Sequence, residues 1–288
     1  MTAIYKRELR SCFTSMTGYV YVAAVTLFFG VYFMIMNLKM GYPYFASALS
    51  GSVTILIFAV PVLTMRSMAE ERRARTDQLL LTSPVSVTAI VTGKFLAMWT
   101  VYAIPMMAAC LCPIVINMLG EGSYLIDYSA IFMFMFLGAL FIAAGMFISS
   151  LTESQIIAAV CTMGLLLILM LWDTIISYIP KTPAASAAGF GIISISAGLA
   201  VYKACRGKAA AIIIAAGGTA VSICLAIFAG EWFSPALYWL LSAFSVYEPI
   251  SNFTNYFVFD IGGIIYYIVM ACALTFLTVQ SVQRRRLV

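Results

Sequence analysis

Histidine is absent from all 288 residues. That removes His-ligated zinc and haem, the Ser-His-Asp and Cys-His nucleophilic systems, and the zinc-peptidase motifs. Charge is scarce as well: 9% of residues are Asp, Glu, Lys or Arg, where a soluble domain carries about 25%. No glycine-rich phosphate loop is present. The nearest candidate, Ala216-Gly217-Gly218-Thr219, lies in the middle of an apolar run and has no Lys beside it. Seven cysteines (12, 110, 112, 161, 205, 224 and 272) sit in apolar runs or at their ends, so no disulfide framework is implied. Cys110 and Cys112 point to different faces of a helix, which makes a poor metal site. No residue set in this chain supports catalysis, and no bound cofactor is expected.

What the chain does contain is hydrophobic length. Apolar residues make up 64% of it. They fall into eight runs, at 19–38, 48–65, 94–116, 128–150, 156–176, 187–202, 209–229 and 261–280. Most approach the ~20 residues needed to cross a ~30 Å hydrocarbon layer as helix. The expected fold is an all-α polytopic membrane protein with about eight spans in a single domain, residues 1–288. The first run is too long for the apolar core of a cleavable signal peptide and follows a helix-patterned stretch, so no leader is expected.

The cations orient the chain. One set of alternate gaps holds Lys6, Arg7, Arg10, Arg66, Arg72, Arg73, Arg75, Lys94, Lys203, Arg206, Lys208, Arg284, Arg285 and Arg286; the other holds only Lys39 and Lys181. Fourteen against two is a positive-inside bias that puts both termini in the cytoplasm. The basic clusters read as headgroup contacts rather than a nucleic-acid surface. Acids are absent from the middle of every run, which argues against proton or sodium coupling.

Four segments stand apart from the spans. Residues 2–16 place Tyr5, Leu9, Cys12, Phe13 and Met16 on one helical face, with Lys6, Arg7, Arg10 and Thr14 opposite. This reads as an interfacial amphipathic helix, the alternative being a plain basic flank. Residues 66–93 form the longest polar element. Residues 66–78 read as helix, with Glu71 and Arg75 as an i, i+4 pair. Pro84 then stops that helix, and Ser86 caps a second one running into the third span. The exposed Leu79, Leu80 and Leu81 invite a protein partner, or else rest in the membrane interface. The turn 151–154, with Glu153, closes spans four and five into an antiparallel hairpin. Residues 231–260 are aromatic but broken by Pro235 and Pro249, which suggests one or two short helices dipping into the outer leaflet. Pro61, Pro105 and Pro113 are expected to kink spans two and three.

Three stretches together resemble the permease subunits of ABC-2-type exporters, in particular the gliding-motility permease-like branch. They are Ala3–Ser15 leading to Gly18-Tyr19-Val20, the segment from Pro61 through Thr76-Asp-Gln-Leu-Leu-Leu-Thr-Ser-Pro-Val-Ser86 to Gly93-Lys94-Phe95, and Asp260–Tyr267 leading to Arg284-Arg285-Arg286. The likeness covers about residues 1–176 and 231–286. It implies a six-helix core, an outer re-entrant region at 231–260 before the last span, and an inserted helical hairpin at 187–229. Ala89 stands where relatives often carry an acid, so the capping box from Ser86 stays open.

The resemblance further implies a permease homodimer or heterodimer in the bacterial cytoplasmic membrane, paired with a separate ATPase that binds ATP and Mg. Residues 66–93 would be the main coupling element, with Glu70, Glu71, Arg72 and Arg73 supplying charge and Leu79–Leu81 apolar area. The turn at Glu153 would make a second contact, and Tyr5, Leu9 and Phe13 would seat the interfacial helix. The alternatives are an ATP-independent secondary transporter and a membrane scaffold of a motility or envelope complex.

Overall fold

The computed structural model describes residues 2–75, 86–120, 122–205, 208–228, 233–256 and 260–286. Among them the regular structure is entirely helical. Six helical stretches are long and apolar enough to cross a membrane: Met16–Lys39, Phe45–Arg73, Val87–Leu119, Tyr124–Leu151, Gln155–Ser177 and Ile261–Arg284. Large apolar side chains such as Leu27, Phe58, Phe132, Ile168 and Phe276 are exposed on them. A soluble protein would bury such side chains, whereas lipid tails are as apolar as they are. The chain is a multi-pass membrane protein.

One compact unit comprises residues 1–169 and 248–288. It begins with α1 (Thr2–Thr14) and α2 (Met16–Phe33), which meet at Ser15. Gly18 is required at this elbow, because a Cβ there would run into the Cys12 carbonyl oxygen. α2 ends in a π-helical turn, Met34–Lys39, whose Asn37 amide donates to the carbonyls of Tyr42 and Tyr44 at 2.8 and 2.9 Å. Then come α3 (Phe45–Thr64), the short α4 (Ala69–Arg73), α5 (Val87–Ala109), α6 (Cys112–Leu119) and α7 (Tyr124–Leu151). α8 (Gln155–Ser177) begins in this unit, and α12 (Glu248–Tyr256) and α13 (Ile261–Arg286) complete it.

α7 and α3 form the centre, with 72% and 61% of their apolar windows buried. α2, α5, α12 and α13 pack around them. α5 is pinned to α7 by Tyr102, whose hydroxyl donates to the Phe134 carbonyl at 2.9 Å, and by the Trp99 indole on Met135 at 3.3 Å. The rings of Phe29 and Phe134 meet edge to face at 5.9 Å. Pro61 and Pro105 lie inside continuous helices, while Pro113 opens α6 after a break at Cys110–Leu111. The break follows from chemistry: proline offers no N–H to the carbonyl four residues back.

The second unit is residues 170–247. It holds the hairpin of α9 (Pro183–Cys205) and α10 (Lys208–Phe228), followed by α11 (Ala236–Ser242). The hairpin expected at 187–229 therefore forms as two helices, whose apolar described portions, Pro183–Leu199 and Ala215–Phe228, are shorter than the six spans. The two cross at Gly218, where a Cβ would lie 2.5 Å from the Ser194 Cβ. Hydroxyls bridge the pair, Ser222 to the Ala187 carbonyl at 3.4 Å and Ser194 to that of Ala215 at 3.5 Å. α11 is held through Trp172, whose indole donates to Leu241 at 2.9 Å, and through Lys181 over the Tyr238 ring at 4.0 Å. Among the described residues of the broken stretch at 231–260 are two short helices, α11 and α12.

Candidate coupling site

Four elements bring charged side chains together at the end of the first unit that carries the N-terminus. α1 supplies Arg7 and Glu8, α4 supplies Glu71 and Arg72, and α5 supplies Lys94. The turn after α7 supplies Glu153. The centre of the cluster is Lys94, whose side chain is 1% exposed. Its ammonium lies 2.9 Å from a Glu71 carboxylate oxygen and 3.3 Å from one of Glu8, and donates to the Ser67 carbonyl at 2.8 Å. All three ammonium protons thus have an acceptor, as a buried Lys needs. Arg7 bridges the same two carboxylates from outside, 2.7 Å from Glu8 and 2.8 Å from Glu71. Its hydrogen bond to Glu8 raises the Arg7 pKa against partial burial.

Arg72 makes the second link. It lies 2.8 Å from Glu153 and donates to the Leu151 carbonyl at 3.2 Å. The Ser149 hydroxyl, near the end of α7, accepts from the backbone N–H groups of Met68 and Ala69 at 3.3 and 3.2 Å and donates to the Met65 carbonyl at 3.2 Å. A helix start leaves unpaired N–H groups, and here another helix supplies the acceptor. α4 is therefore fastened at its first residue to α7, by Glu71 to α1 and α5, and by Arg72 to the turn behind α7.

Over the described part, 66–75, these fastenings correct the expected helix at 66–78; residues 76–78 lie outside the described residues. There, regular helix covers Ala69–Arg73, and Arg75 turns left-handed at φ 56°. Good helix formers lose here to tertiary contacts, because Glu71 is drawn to Arg7 and Lys94 and does not pair with Arg75. Leu79, Leu80 and Leu81 lie outside the described residues. Glu70 and Arg73 are exposed, whereas Glu71 and Arg72 are half-buried. Ser86 does cap α5, its hydroxyl accepting from the Ala89 N–H at 3.4 Å.

The amphipathic face of α1 is turned toward the protein. Tyr5, Leu9, Cys12 and Phe13 are half-buried, and the Tyr5 hydroxyl meets that of Thr100 on α5 at 3.1 Å. Phe13 packs edge-on against Tyr19 at 5.5 Å. Met16, expected on that face, instead begins α2 and is 83% exposed. Burial, with the Glu8 carboxylate nearby, pushes the Cys12 thiol up in pKa, so it stays protonated at neutral pH.

Two buried charges escaped the sequence reading. Lys94 looked like an orienting cation, because the third run was taken to begin there. α5 actually starts at Val87, and Ile90, Val91, Ala97, Met98 and Val101 around Lys94 are all buried. A lone cation on a buried helical face was the available signal. Asp127, just before the apolar run at 128–150, is fully buried in the first turn of α7. Its carboxylate accepts from the Phe45 N–H at 2.7 Å and so caps α3, a contact between residues 82 apart that no local pattern encodes.

Among the described residues no group of His, Cys, Asp or Glu could hold a metal ion. A comparison with curated proteins gave no match. The family model for ABC-2 family transporter proteins matches residues 2–196, from α1 through the five spans that follow it and into α9. That is more than half of the chain, and it includes every charged residue of the cluster: this protein belongs to the ABC-2 family of transporter proteins and is a membrane permease of an ABC transporter.

Proposed function

We propose that this permease is the membrane-spanning part of an ATP-driven exporter and is moved by a separate ATPase subunit that docks on α4. The observation that carries the reading is the fastening of α4. Its outward residues, Glu70 and Arg73, are free to meet a partner, while Glu71, Arg72 and its first N–H groups are tied to α1, α5 and α7. A partner that displaces α4 must displace those helices too, or break buried ion pairs. α7 is the most buried helix of the unit. Force applied at α4 thus reaches the centre of the bundle through bonds rather than through a flexible loop. Interfaces that are fastened in this way switch between discrete arrangements rather than deforming continuously.

In this reading ATP and Mg bind to the partner, and the chain contributes the substrate path as one of a pair of permeases. Both termini and α4 then face the cytoplasm at a bacterial inner membrane, an orientation that the cation asymmetry supports. Single cysteines at Arg73 and Arg285 should then stay unreactive to an impermeant maleimide, and one at Gly122 should react.

The test separates docking from transmission. Reversing both outward charges, Glu70→Lys with Arg73→Glu, should lower the amount of co-purified ATPase per permease about tenfold, as should Leu80→Asp. Glu71→Gln should leave ATPase bound and turning over but lower transport in proteoliposomes. If all three retain wild-type ATPase occupancy, ATP turnover and transport, coupling does not run through α4. Ion-driven transport by the chain alone would replace the reading with a secondary transporter. ATPase recruitment without any transported substrate would favour a scaffold.

A further inference from the structure

Beside the cluster, between α1, α3 and α5, lies a half-open cavity of about 160 Å³, against the ~10–15 Å³ that one water requires. Lys94 forms part of its wall but is already neutralised by two carboxylates. Two other charges on the wall have no such partner. Arg66 and Glu70, of opposite sign, both line the cavity, and neither forms an ion pair among the described residues. Between them in sequence is Ser67, which also lines it. The Ser67 hydroxyl oxygen itself is buried away from the open space.

Part of the wall is apolar. Val62 and Met98 line it, and Val62 is 41% exposed on the flank of α3, a membrane-spanning helix. The cavity therefore has a side facing lipid, and its wall bears one unpaired cation and one unpaired anion. A purely anionic ligand would leave Glu70 unmatched, and a purely cationic one would leave Arg66 unmatched.

From this complementarity we infer that the cavity binds a glycerophospholipid with a primary-ammonium headgroup, its phosphate on Arg66, its ammonium on Glu70, and its acyl chains along Val62. Charged hydrogen bonds of this kind are directional, and a quaternary ammonium has no N–H with which to make one. Selection of phosphatidylethanolamine over phosphatidylcholine follows directly. The bound lipid touches both α4, through Glu70, and α1, so it adds a further tie between the same two elements. The inference rests on the cavity; it shares Glu70 with the ATPase docking proposed above, and an experiment without ATPase separates the two.

The experiment uses the permease without any ATPase, in nanodiscs of mixed phosphatidylethanolamine, phosphatidylcholine and phosphatidylglycerol. The lipids that stay with the protein on release are counted by native mass spectrometry. Wild type should retain phosphatidylethanolamine over phosphatidylcholine by about tenfold, the effect of one charged hydrogen bond. Glu70→Gln should erase that preference. Arg66→Gln should reduce retention of all three lipids about tenfold. Both positions are exposed, so neither change threatens folding; Val62→Trp, which fills the lipid-facing mouth, should abolish retention by a route independent of charge. Unchanged retention in all three variants overturns the inference, as does equal retention of the ethanolamine and choline lipids by wild type. Full displacement of the lipid by soluble phosphoethanolamine also overturns it, because the site would then take a free zwitterion.

Discussion

The two compact units hold their helices together by opposite means. At the α1/α4/α5/α7 cluster, four ion pairs join elements among the described residues, and two of them meet on a Lys that is almost fully buried. In the α9–α10 hairpin the described contacts use glycine, serine and a backbone carbonyl. The hairpin follows the ordinary rule for helices in lipid, where small residues permit close approach and hydroxyls add modest hydrogen bonds. The cluster breaks that rule. Ion pairs are a costly way to hold a membrane protein together, since desolvation can exceed the attraction gained. They do specify one arrangement, and they can be exchanged when a neighbour moves. That contrast suits a static hairpin and a coupling region that must switch.

If the contrast is real, the largest effect in the molecule should come from Lys94. Lys94→Met keeps the apolar stem and removes the charge, leaving Glu8 and Glu71 at the core of the cluster with only Arg7 between them. Removing one partner of a buried pair costs about 3–5 kcal/mol. The bridging Arg7 places this case near the low end. Chemical denaturation in mixed micelles measures it. Adding Glu71→Gln to Lys94→Met should recover part of the loss, because it removes one of the stranded charges, and with Glu71→Gln measured alone the cycle gives the coupling energy. If Lys94→Met costs less than about 1 kcal/mol, the region is held by the packing of Tyr5, Leu9 and Phe13 on the bundle instead, and the contrast fails.

In the hairpin the matching substitution is Gly218→Val. The new side chain meets Ser194 at a distance no packed atoms adopt, so α9 and α10 must separate. Overpacking of this kind costs about 1–3 kcal/mol. Gly217, one residue earlier, has nothing within 4 Å of where its Cβ would lie, so Gly217→Ala should be harmless. Equal sensitivity at the two glycines would show that the helices do not cross where the structure has them. The same two variants in a transport assay refine the comparison: neither should change ATPase occupancy, since neither touches α4.

How much of this could be read from the chain depends on the range of the interactions. The span pattern, the amphipathic face at Tyr5, Leu9 and Phe13, and the cap at Ser86 are local, and periodicity or a single residue identifies each. The hairpin's small residues were visible too, in the i, i+4 spacing of Ala211/Ala215 and Ala216/Ala220. The contact itself uses Gly218 and Ser194, because the crossing angle decides which small face meets the partner helix. The cluster was not readable. Arg7 and Glu71 are 64 positions apart, and Glu8 and Lys94 are 86 apart. Glu71 and Arg75 offered a plausible local pair, and distant partners won. Asp127 illustrates the same limit, since its role depends on α3 starting next to it in space.

The smallest expected effect tests the hairpin's hydroxyls. Ser194 donates to the Gly191 carbonyl on its own helix at 2.8 Å and only weakly to Ala215 across the pair at 3.5 Å. Ser222 shows the same pattern, at 2.8 Å to Thr219 and 3.4 Å to Ala187. Each hydroxyl therefore stays satisfied within its own helix if the partner moves away, so the interhelical share is small. Interhelical hydrogen bonds in membranes average about 0.6 kcal/mol; these should fall at or below that figure. Ser194→Ala combined with Ser222→Ala should cost less than about 1 kcal/mol and should be additive, because neither bond supports the other. Close packing at Gly218 would then account for most of the hairpin's cohesion. A loss of more than about 2 kcal/mol would mean that the hydroxyls, not the glycine, hold the pair together. The two units would then both be polar assemblies differing only in charge.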